Sequence, residues 1–249
     1  MSVKQRLDLL VVEKGLAPSR QRARALIMAG KILVDTRRID KPGTPIPVDA
    51  AISIRGDDLA YVSRGGLKLE GALRAMNLDV RDRVCLDVGA STGGFTDCLL
   101  QHGARKVYAV DVGYGQLAWK LRQDRRVVAI ERTNIRHMDP GLVPEPVDLV
   151  TIDTSFISLK IVVPAVMAFL RPGTMVLALI KPQFEAGKGK VGKGGVVKDT
   201  AIHHRIIADL SDFFEQNGLS SGPVVPSSIL GPKGNQEYLI LLTRTDSGL

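Results

Sequence analysis

The chain has 249 residues, of which 45% are hydrophobic, so we expect a globular, soluble protein with one large and one small domain. No apolar stretch approaches the ~20 residues that span a bilayer, so the sequence predicts no membrane anchor. The formal net charge of +8 favours a polyanionic partner, because lysine and arginine bind phosphates with release of condensed counterions.

The amino-terminal residues and the cysteines indicate the cellular compartment of the protein. Residues 1–10 carry charged side chains, unlike a signal peptide. Cys85 and Cys98 are predicted to be buried thiols rather than a disulfide or a metal site, which fits a reducing environment. We therefore expect a cytoplasmic protein that has no membrane partner.

Residues 3–59 are predicted to form the small domain. Periodic apolar residues predict a first helix that ends at Gly15, and Ser19 then caps a second helix from Arg20 to Gly30. A hairpin-like stretch at 31–38 follows, and a strand is predicted at residues 51–54. This order of two helices and a basic hairpin resembles the RNA-binding module named after the fourth small-subunit ribosomal protein.

Basic residues are concentrated in the second helix and the hairpin. Such a cluster is typical of a surface that binds phosphates without reading bases. A basic helical cap of no special function is the alternative, because arginine-rich helix faces are commonly just solvated. The candidate RNA-binding residues are Arg6, Ser19, Arg20, Arg22, Arg24, Lys31, Arg37, Arg38, Arg64, Lys188, Lys190 and Lys193.

A larger domain begins after residues 60–82, which we interpret as a linker and a first helix, and occupies residues 83–245. An apolar strand leads into a glycine-rich turn and then a helix that runs to about residue 102. Ser91 stands where the dinucleotide fingerprint needs its second glycine, which argues against NAD and FAD. S-adenosylmethionine lacks a phosphate, and its amino-acid tail could meet Asp87 and the loop amides.

Polar residues after the next two strands complete the expected cofactor site. Asp111 follows the strand at 106–110, at a spacing from Asp87 near that at which a carboxylate meets ribose hydroxyls. Helix capping is the alternative role for Asp111. Val112 could flank the adenine. The cofactor-binding candidates are Asp87, Gly89, Ser91, Gly93, Gly94, Phe95, Asp111, Val112, Asn134 and Asp153.

The remaining elements continue the alternation of strands and helices. We predict a helix at 156–170, a strand at 175–180, a helix at 200–217 and two closing strands that form an antiparallel edge hairpin. This order predicts an α/β fold with a Rossmann-like, doubly wound sheet. The segment 185–195 is basic and glycine-rich, which suggests a mobile lid that contacts RNA phosphates.

Four ionisable residues fall beside these elements. Asp153 and Lys181 each end an apolar run, Glu237 opens another, and Lys68 lies in the first helix after the linker. Ligands of open α/β sheets bind outside the carboxyl ends of the strands, so these side chains are catalytic candidates, with ordinary solvated strand ends as the alternative. The four resemble the Lys-Asp-Lys-Glu tetrad of FtsJ-type ribose 2′-O-methyltransferases.

Segments 61–70, 151–157, 180–184 and 234–238, which surround these four residues, resemble the TlyA family. The resemblance implies S-adenosylmethionine as cofactor and methylation of ribose 2′-hydroxyls, of cytidine, in ribosomal RNA of the small or large subunit or both. Lys181 is then the candidate that accepts the hydroxyl proton or stabilises the developing alkoxide.

Two other classes of function remain as alternatives. Families of this kind have been labelled haemolysins, which makes a membrane-active protein one rival, although the chain lacks an obvious lytic helix. A catalytically silent RNA-binding assembly factor is the other. No obligate protein partner is evident, and the four histidines show no metal-ligand spacing, so we expect no metal site.

Overall fold

The computed structural model describes residues 3–17, 19–54, 60–187, 192 and 194–245. The chain divides into two compact units, Met1–Leu59 and Ala60–Leu249. Among the described residues, no helix is both long and apolar enough to cross a bilayer.

In its described residues, the smaller unit contains two helices and two small antiparallel sheets. One sheet pairs β1 with β4, and the other has the order β3-β2-β5. The elements are β1 (Lys4–Arg6), α1 (Leu7–Glu13), α2 (Arg20–Met28), β2 (Ile32–Val34), β3 (Arg37–Arg38), β4 (Pro45–Pro47) and β5 (Ile52–Ile54).

The predicted helices and hairpin of this unit are confirmed. The side chain of Ser19 accepts a hydrogen bond from the backbone N–H of Arg22 and so caps α2. Apolar residues of both helices and of β2, including Leu7, Ile27 and Ile32, are completely buried in one core. The apolar faces of the two short helices therefore pack against the sheet that contains β2, and this packing holds the unit together.

The larger unit is a seven-stranded sheet with helices on both faces. Its strands are β6 (Val84–Val88), β7 (Lys106–Val110), β8 (Val127–Ile130), β9 (Leu149–Ile152), β10 (Met175–Ile180), β11 (Leu219–Pro226) and β12 (Tyr238–Arg244). Its α-helices are α3 (Gly65–Ala75), α4 (Gly94–Gln101), α5 (Trp119–Arg122), α6 (Leu159–Val166), α7 (Pro182–Glu185) and α8 (Thr200–Gln216).

The strand order in this sheet is β11-β12-β10-β9-β6-β7-β8. The strands from β6 to β10 are parallel to their neighbours, whereas β12 runs antiparallel to both β10 and β11. The predicted doubly wound α/β sheet with an antiparallel hairpin at its edge is confirmed. The order reverses at β6, so β6 and β9 bracket the point at which such sheets bind their ligands.

The helix after β9 differs most from its predicted bounds. The helix expected at 156–170 begins only at Leu159, and a 3₁₀ turn, Met167–Phe169, follows it. Phe156 has a φ of +65° and therefore cannot continue a helix, while Ser158 caps α6 through its side chain. The segment after β9 is consequently a loop at the carboxyl edge of the sheet.

The two cysteines lie in the core of the larger unit. Cys85 and Cys98 are both free and buried, as the sequence predicts. Burial raises the pKa of each thiol to about 12, so both remain protonated and unreactive at neutral pH.

Candidate active site

Two ion pairs lie at the carboxyl end of the central strands. Lys181 Nζ lies 2.6 Å from Asp153 Oδ1, and Lys68 Nζ lies 2.5 Å from Glu237 Oε2. Asp153 follows β9 and Lys181 follows the parallel strand β10, so both reach the same edge of the sheet. The antiparallel strand β12 starts opposite the end of β10, which brings Glu237 to that edge too. The structure therefore gathers the four predicted residues in one place.

Close contacts between glycines position Lys68. A Cβ atom added to Gly94, the first residue of α4, would lie 2.9 Å from the backbone nitrogen of Gly66 in α3. A Cβ atom on Gly66 itself would overlap the ring of Tyr61. Only glycines permit this approach of the two helices, and it places Lys68, in the first turn of α3, beside the sheet edge.

Glu237 is the most enclosed member of the tetrad, with 0% of its surface exposed. Its Oε2 accepts the hydrogen bond from Lys68, whereas its Oε1 has no hydrogen-bond partner among the described residues. Gly231 packs directly against this carboxylate, and any side chain there would overlap it. A buried carboxylate needs a cation and hydrogen bonds, so one acceptor position of this group is left for another donor.

The second pair is more open. The Lys181 ammonium also donates to Ser155 Oγ at 2.8 Å, while the Asp153 side chain is 22% exposed. All four tetrad side chains line one cavity of about 810 Å³, a size that suits a ligand of nucleoside dimensions. Lysine donors and carboxylate acceptors therefore converge on a space that can hold a reacting group.

The glycine-rich turn after β6 approaches this cavity as backbone. A Cβ atom on Gly89 would lie 2.7 Å from the Asp153 carbonyl oxygen, and Gly89 has a φ of +85°. Gly93 begins α4 from a left-handed conformation and packs on Leu121. Gly89, Ser91, Gly94 and Phe95 all line the cavity, and Gly93 supports the turn from beneath. A side chain at Gly89, Gly93 or Gly94 would collide with neighbouring atoms, so glycine is required at these three positions.

Asp87 lies under this turn and is completely buried. Its two carboxylate oxygens accept hydrogen bonds from the hydroxyls of Thr96 (2.6 Å) and Thr151 (2.9 Å). Burial, which the two hydroxyls offset only in part, raises the pKa of Asp87 to about 6. In this arrangement Asp87 holds the base of the turn and presents no exposed surface to a ligand in the cavity.

A second cavity of about 470 Å³ adjoins the first and shares Gly89, Ser91 and Asp153 with it. Asp111 lies on its wall, where its carboxylate oxygens accept hydrogen bonds from the backbone N–H groups of Ser91 and Gly113, each at 2.7 Å. Each oxygen keeps capacity for a further donor, so Asp111 is a fixed acceptor suited to a pair of hydroxyls.

Val112 and Asn134 complete this second cavity. Val112 is 70% exposed, which leaves an apolar side chain free to cover a flat ring. The side chain of Asn134 accepts a hydrogen bond from the backbone N–H of Arg136 and so caps a 3₁₀ turn, Ile135–His137. An acceptor for hydroxyls beside apolar walls fits the adenosine part of S-adenosylmethionine, and the adjoining glycine turn fits its amino-acid part.

The candidate RNA-binding residues have different surroundings. Arg6 and Arg20 both donate to Asp8, whose side chain is completely buried, and their own side chains are about half exposed. The hydrogen bond from Arg6, with further help from Arg20, lowers the pKa of Asp8 to about 2. The other candidates in this unit, Ser19, Arg22, Arg24, Lys31, Arg37 and Arg38, are exposed.

Two groups of candidates lie in the larger unit. Arg64 is exposed beside the first cavity and donates to the backbone carbonyl of Leu230 at 3.3 Å. Lys188, Lys190 and Lys193 of the predicted lid lie outside the described residues.

Sequence reasoning missed several residues that line the two cavities. Ser155 hydrogen-bonds Lys181 and lines both cavities, and Gln183 lines the first. Thr133 and Gln116 lie in the second. Closeness along the chain to Asp153, Lys181 and Asn134 is a signal that could have found Ser155, Gln183 and Thr133.

Metal-binding side chains do not gather in the described part of the chain. No group of three or more histidine, cysteine or acidic residues there could hold a metal ion. His203, which is buried, bonds the Val197 carbonyl and the Tyr238 hydroxyl, so its role is structural.

Comparisons with known proteins agree with this geometry. The FtsJ-like methyltransferase family model matches residues 61–244, and the S4 domain model matches residues 5–52. The 16S/23S rRNA (cytidine-2′-O)-methyltransferase TlyA of Mycobacterium tuberculosis is 47% identical over 100% of this chain and 94% of its own length. Hemolysin A of Brachyspira hyodysenteriae is 40% identical over 94% of this chain and 98% of its own.

A solved structure supports the same assignment. A Streptococcus thermophilus protein named as a hemolysin superimposes with a TM-score of 0.76 at 44% identity, over 99% of this chain and 90% of that one. Matches of this extent show common descent as well as a common fold. The chain belongs to the FtsJ-like methyltransferase family and carries an S4 domain before the methyltransferase domain.

Proposed function

We propose that this protein transfers a methyl group from S-adenosylmethionine to the 2′-hydroxyl of cytidine in ribosomal RNA. The observation that carries the proposal is the convergence of two lysine–carboxylate ion pairs on a nucleoside-sized cavity that adjoins the candidate cofactor cavity. The name of the TlyA relative supports cytidine as the target and both subunits as substrates.

Residues of the glycine turn and of the second cavity would hold S-adenosylmethionine. Asp111 would accept hydrogen bonds from the ribose hydroxyls, Val112 would cover the adenine, and Asn134 would lie at its edge. Gly89, Ser91, Gly93, Gly94 and Phe95 would shape the site for the amino-acid part, over Asp87 as its support. When bound, this cofactor supplies an electrophilic methyl group.

Lys181 and Asp153 are the residues that we assign to the reacting hydroxyl. A ribose hydroxyl holds its proton tightly, so it needs an acceptor for that proton or a cation beside the developing negative charge. Asp153 Oδ1 and Lys181 Nζ, 2.6 Å apart, offer both at one point. Ser155 fixes the direction of the ammonium group through its hydrogen bond.

Lys68 and Glu237 would orient the ribose. Their ion pair is almost fully enclosed, and Glu237 Oε1 retains an acceptor position without a partner among the described residues. A second hydroxyl of the target nucleotide could donate to it. Positioning of this kind can lower a barrier as much as proton transfer does.

The S4 domain indicates RNA as the partner, and we assign ribosomal RNA binding to its basic surface. In this proposal residues 3–59 bind RNA, 60–82 form a linker and the first helix, and 83–245 carry out the transfer. Arg22, Arg24 and Arg37 are exposed and free to contact phosphates. The reaction would take place in the cytoplasm, where ribosomal subunits are found, and without an obligate protein partner.

Transfer of labelled methyl from S-adenosylmethionine to purified small and large ribosomal subunits tests the proposal. We expect label in RNA with the wild type and none with Lys181→Ala, while both proteins bind the cofactor. Digestion to nucleosides should place the label on cytidine ribose. Label on a base, or none on any RNA despite cofactor binding, would overturn the proposal, and the latter result would favour a silent RNA-binding factor.

The relatives named as hemolysins raise a second candidate, a membrane-active protein. Leakage of a dye from anionic liposomes at neutral pH measures that activity directly. We expect no leakage from pure protein at concentrations that support methyl transfer.

A further inference from the structure

Gln183 has a side-chain amide oxygen that no described residue uses as a hydrogen-bond acceptor. It lies in α7, two residues after Lys181, and lines the same cavity as the tetrad. Its Oε1 is buried and has no hydrogen-bond partner among the described residues. Leaving a buried acceptor unpaired costs free energy, so the position of this oxygen calls for a donor from outside the protein.

The backbone around Gln183 is firmly held. Glu185, at the end of α7, accepts hydrogen bonds from Ser158 Oγ (2.6 Å) and from the backbone N–H of Leu159 (2.8 Å). Phe184 packs against Phe156 with ring centroids 5.0 Å apart. The amide is therefore presented to the cavity from a rigid support, which is the usual arrangement for a recognition group.

We propose that Gln183 reads the base of the target nucleotide by accepting a hydrogen bond from the exocyclic N4 amino group of cytosine. This inference rests on the proposed function, in which the 2′-hydroxyl lies at the Lys181–Asp153 pair. The base is bonded to the carbon next to the reacting one, so its polar edge must lie near the same cavity. The N4 amino group is the donor on that edge, and Gln183 Oε1 is a neutral acceptor without a partner there.

The other polar groups of the cavity suit other parts of the substrate. Lys68 and Lys181 are donors and match the oxygens of the ribose, while Glu237 and Asp153 are charged acceptors that the proposed function assigns to the ribose hydroxyls. Gln183 is neutral, so it can discriminate between bases without adding a charge to the tetrad. Discrimination through a hydrogen bond is effective because the wrong base leaves the amide unpaired.

The test compares cytidine with a nucleoside that lacks only the N4 amino group. RNA fragments would carry cytidine or the ribonucleoside of pyrimidin-2-one at the modified position, and single-turnover rates would be measured for wild type, Gln183→Leu and Gln183→Glu. Wild type should methylate the cytidine RNA about 10-fold faster than the pyrimidin-2-one RNA. Gln183→Leu should methylate the cytidine RNA about 10-fold more slowly than wild type does, and should methylate the two RNAs at nearly equal rates. Gln183→Glu should keep the preference, because a carboxylate oxygen also accepts from an amino group.

Controls separate this role from folding and from cofactor binding. Gln216→Leu, on an exposed position of α8, should behave as wild type, and all variants should retain the wild-type melting temperature and cofactor affinity. A preference for cytidine that survives in Gln183→Leu would overturn base reading, as would a loss of cofactor affinity in that variant. If wild type methylates both RNAs equally, ribose methylation stands and only base reading fails. If it methylates neither, both proposals fail.

Discussion

Asp8 in the smaller unit and Asp87 in the larger one are both completely buried carboxylates, yet their partners differ. Asp8 is bonded by two arginines, which lower its pKa to about 2. Asp87 is bonded by two threonine hydroxyls, which only partly offset burial, and its pKa rises to about 6. Burial therefore does not decide the charge of an acid by itself, because the charge of its partners decides it.

The basic residues that pair with carboxylates in the two units differ in their exposure to solvent. Arg6 and Arg20 pair with Asp8 while about half of each side chain faces solvent. Lys68 and Lys181 pair with carboxylates while no more than a tenth of each side chain is exposed. The charges of Arg6 and Arg20 thus remain available for a polyanion in solution, whereas those of Lys68 and Lys181 are enclosed in a cavity.

The largest effect is expected from the removal of an enclosed lysine. Lys181→Met should lower the single-turnover rate of methyl transfer by about 10³-fold, because the hydroxyl loses the cation beside its developing negative charge. Lys160→Met, at an exposed lysine of α6, is the matched control and should stay within about twofold, a change that surface substitutions rarely exceed. A Lys181→Met enzyme with more than a tenth of the wild-type rate would contradict this role.

The loss of folding stability on breaking each ion pair should be larger where the carboxylate is more deeply buried. Glu237→Gln leaves Lys68 buried without a counter-charge and should lower the free energy of unfolding by about 4 kcal/mol. Asp153→Asn also leaves an enclosed lysine, Lys181, but Asp153 itself is 22% exposed to water, so the cost should be smaller, about 2 kcal/mol. Urea unfolding of the two variants measures both values, and equal losses would show that enclosure does not set the cost.

The two buried aspartates should give opposite pH dependences. The folded pKa of Asp87 lies above its unfolded value, so the folded state binds its proton more readily and stability rises as pH falls from about 6 to 4. The gain is about 3 kcal/mol. Asp87→Asn should abolish this rise, as measured by urea unfolding between pH 4 and 7. A rise that persists in Asp87→Asn would assign it to another group.

Asp8 should affect the folding stability at a lower pH than Asp87 does. Its folded pKa lies below the unfolded value, so its stabilising contribution is present above about pH 4 and is lost as pH falls to about 2. Because its arginines are half exposed, solvent screening limits the contribution to about 1 kcal/mol. Asp8→Asn should be less stable than wild type at pH 7 and equally stable near pH 2.

The smallest effect concerns the exposed arginines of the smaller unit. Arg24→Ala should weaken binding to ribosomal RNA by a factor of about 5 at physiological salt and reduce the slope of log K against log salt by about one, as expected for the loss of one phosphate contact. Arg205→Ala, on an exposed position of α8, is the control. An unchanged slope in Arg24→Ala would remove this residue from the RNA-binding surface.

Strong local patterns made much of the fold predictable. β7 and β10 have the predicted bounds, because short apolar runs between polar turns leave little choice. The pairing of β1 with β4 was not predicted, since Lys4–Arg6 and Pro45–Pro47 are short, polar or proline-containing and come together only through tertiary contact. The late start of α6 depends on the left-handed conformation of Phe156, which no periodicity reveals.

The members of the tetrad were predictable, but their pairing was not. Resemblance to a family supplied the four residues, and the strand ends supplied three of their positions. Lys68 and Glu237 are 169 residues apart in the sequence. They meet because β12 pairs antiparallel with β10, which brings Glu237 to the edge of the sheet beside Lys68. The amide oxygen of Gln183, which has no partner among the described residues, could not be found from sequence either, because a missing hydrogen bond is a property of three-dimensional packing.

Replacing the acceptor hydroxyl tests the central claim most directly. Once the labelled nucleotide in a ribosomal RNA fragment has been located, the same fragment is synthesised with 2′-deoxycytidine at that one position. The account predicts unchanged binding of the fragment and no methyl transfer, since the group held by Lys181 and Asp153 is gone. Transfer at the wild-type rate to the deoxy fragment would place the reaction on another atom and contradict ribose methylation.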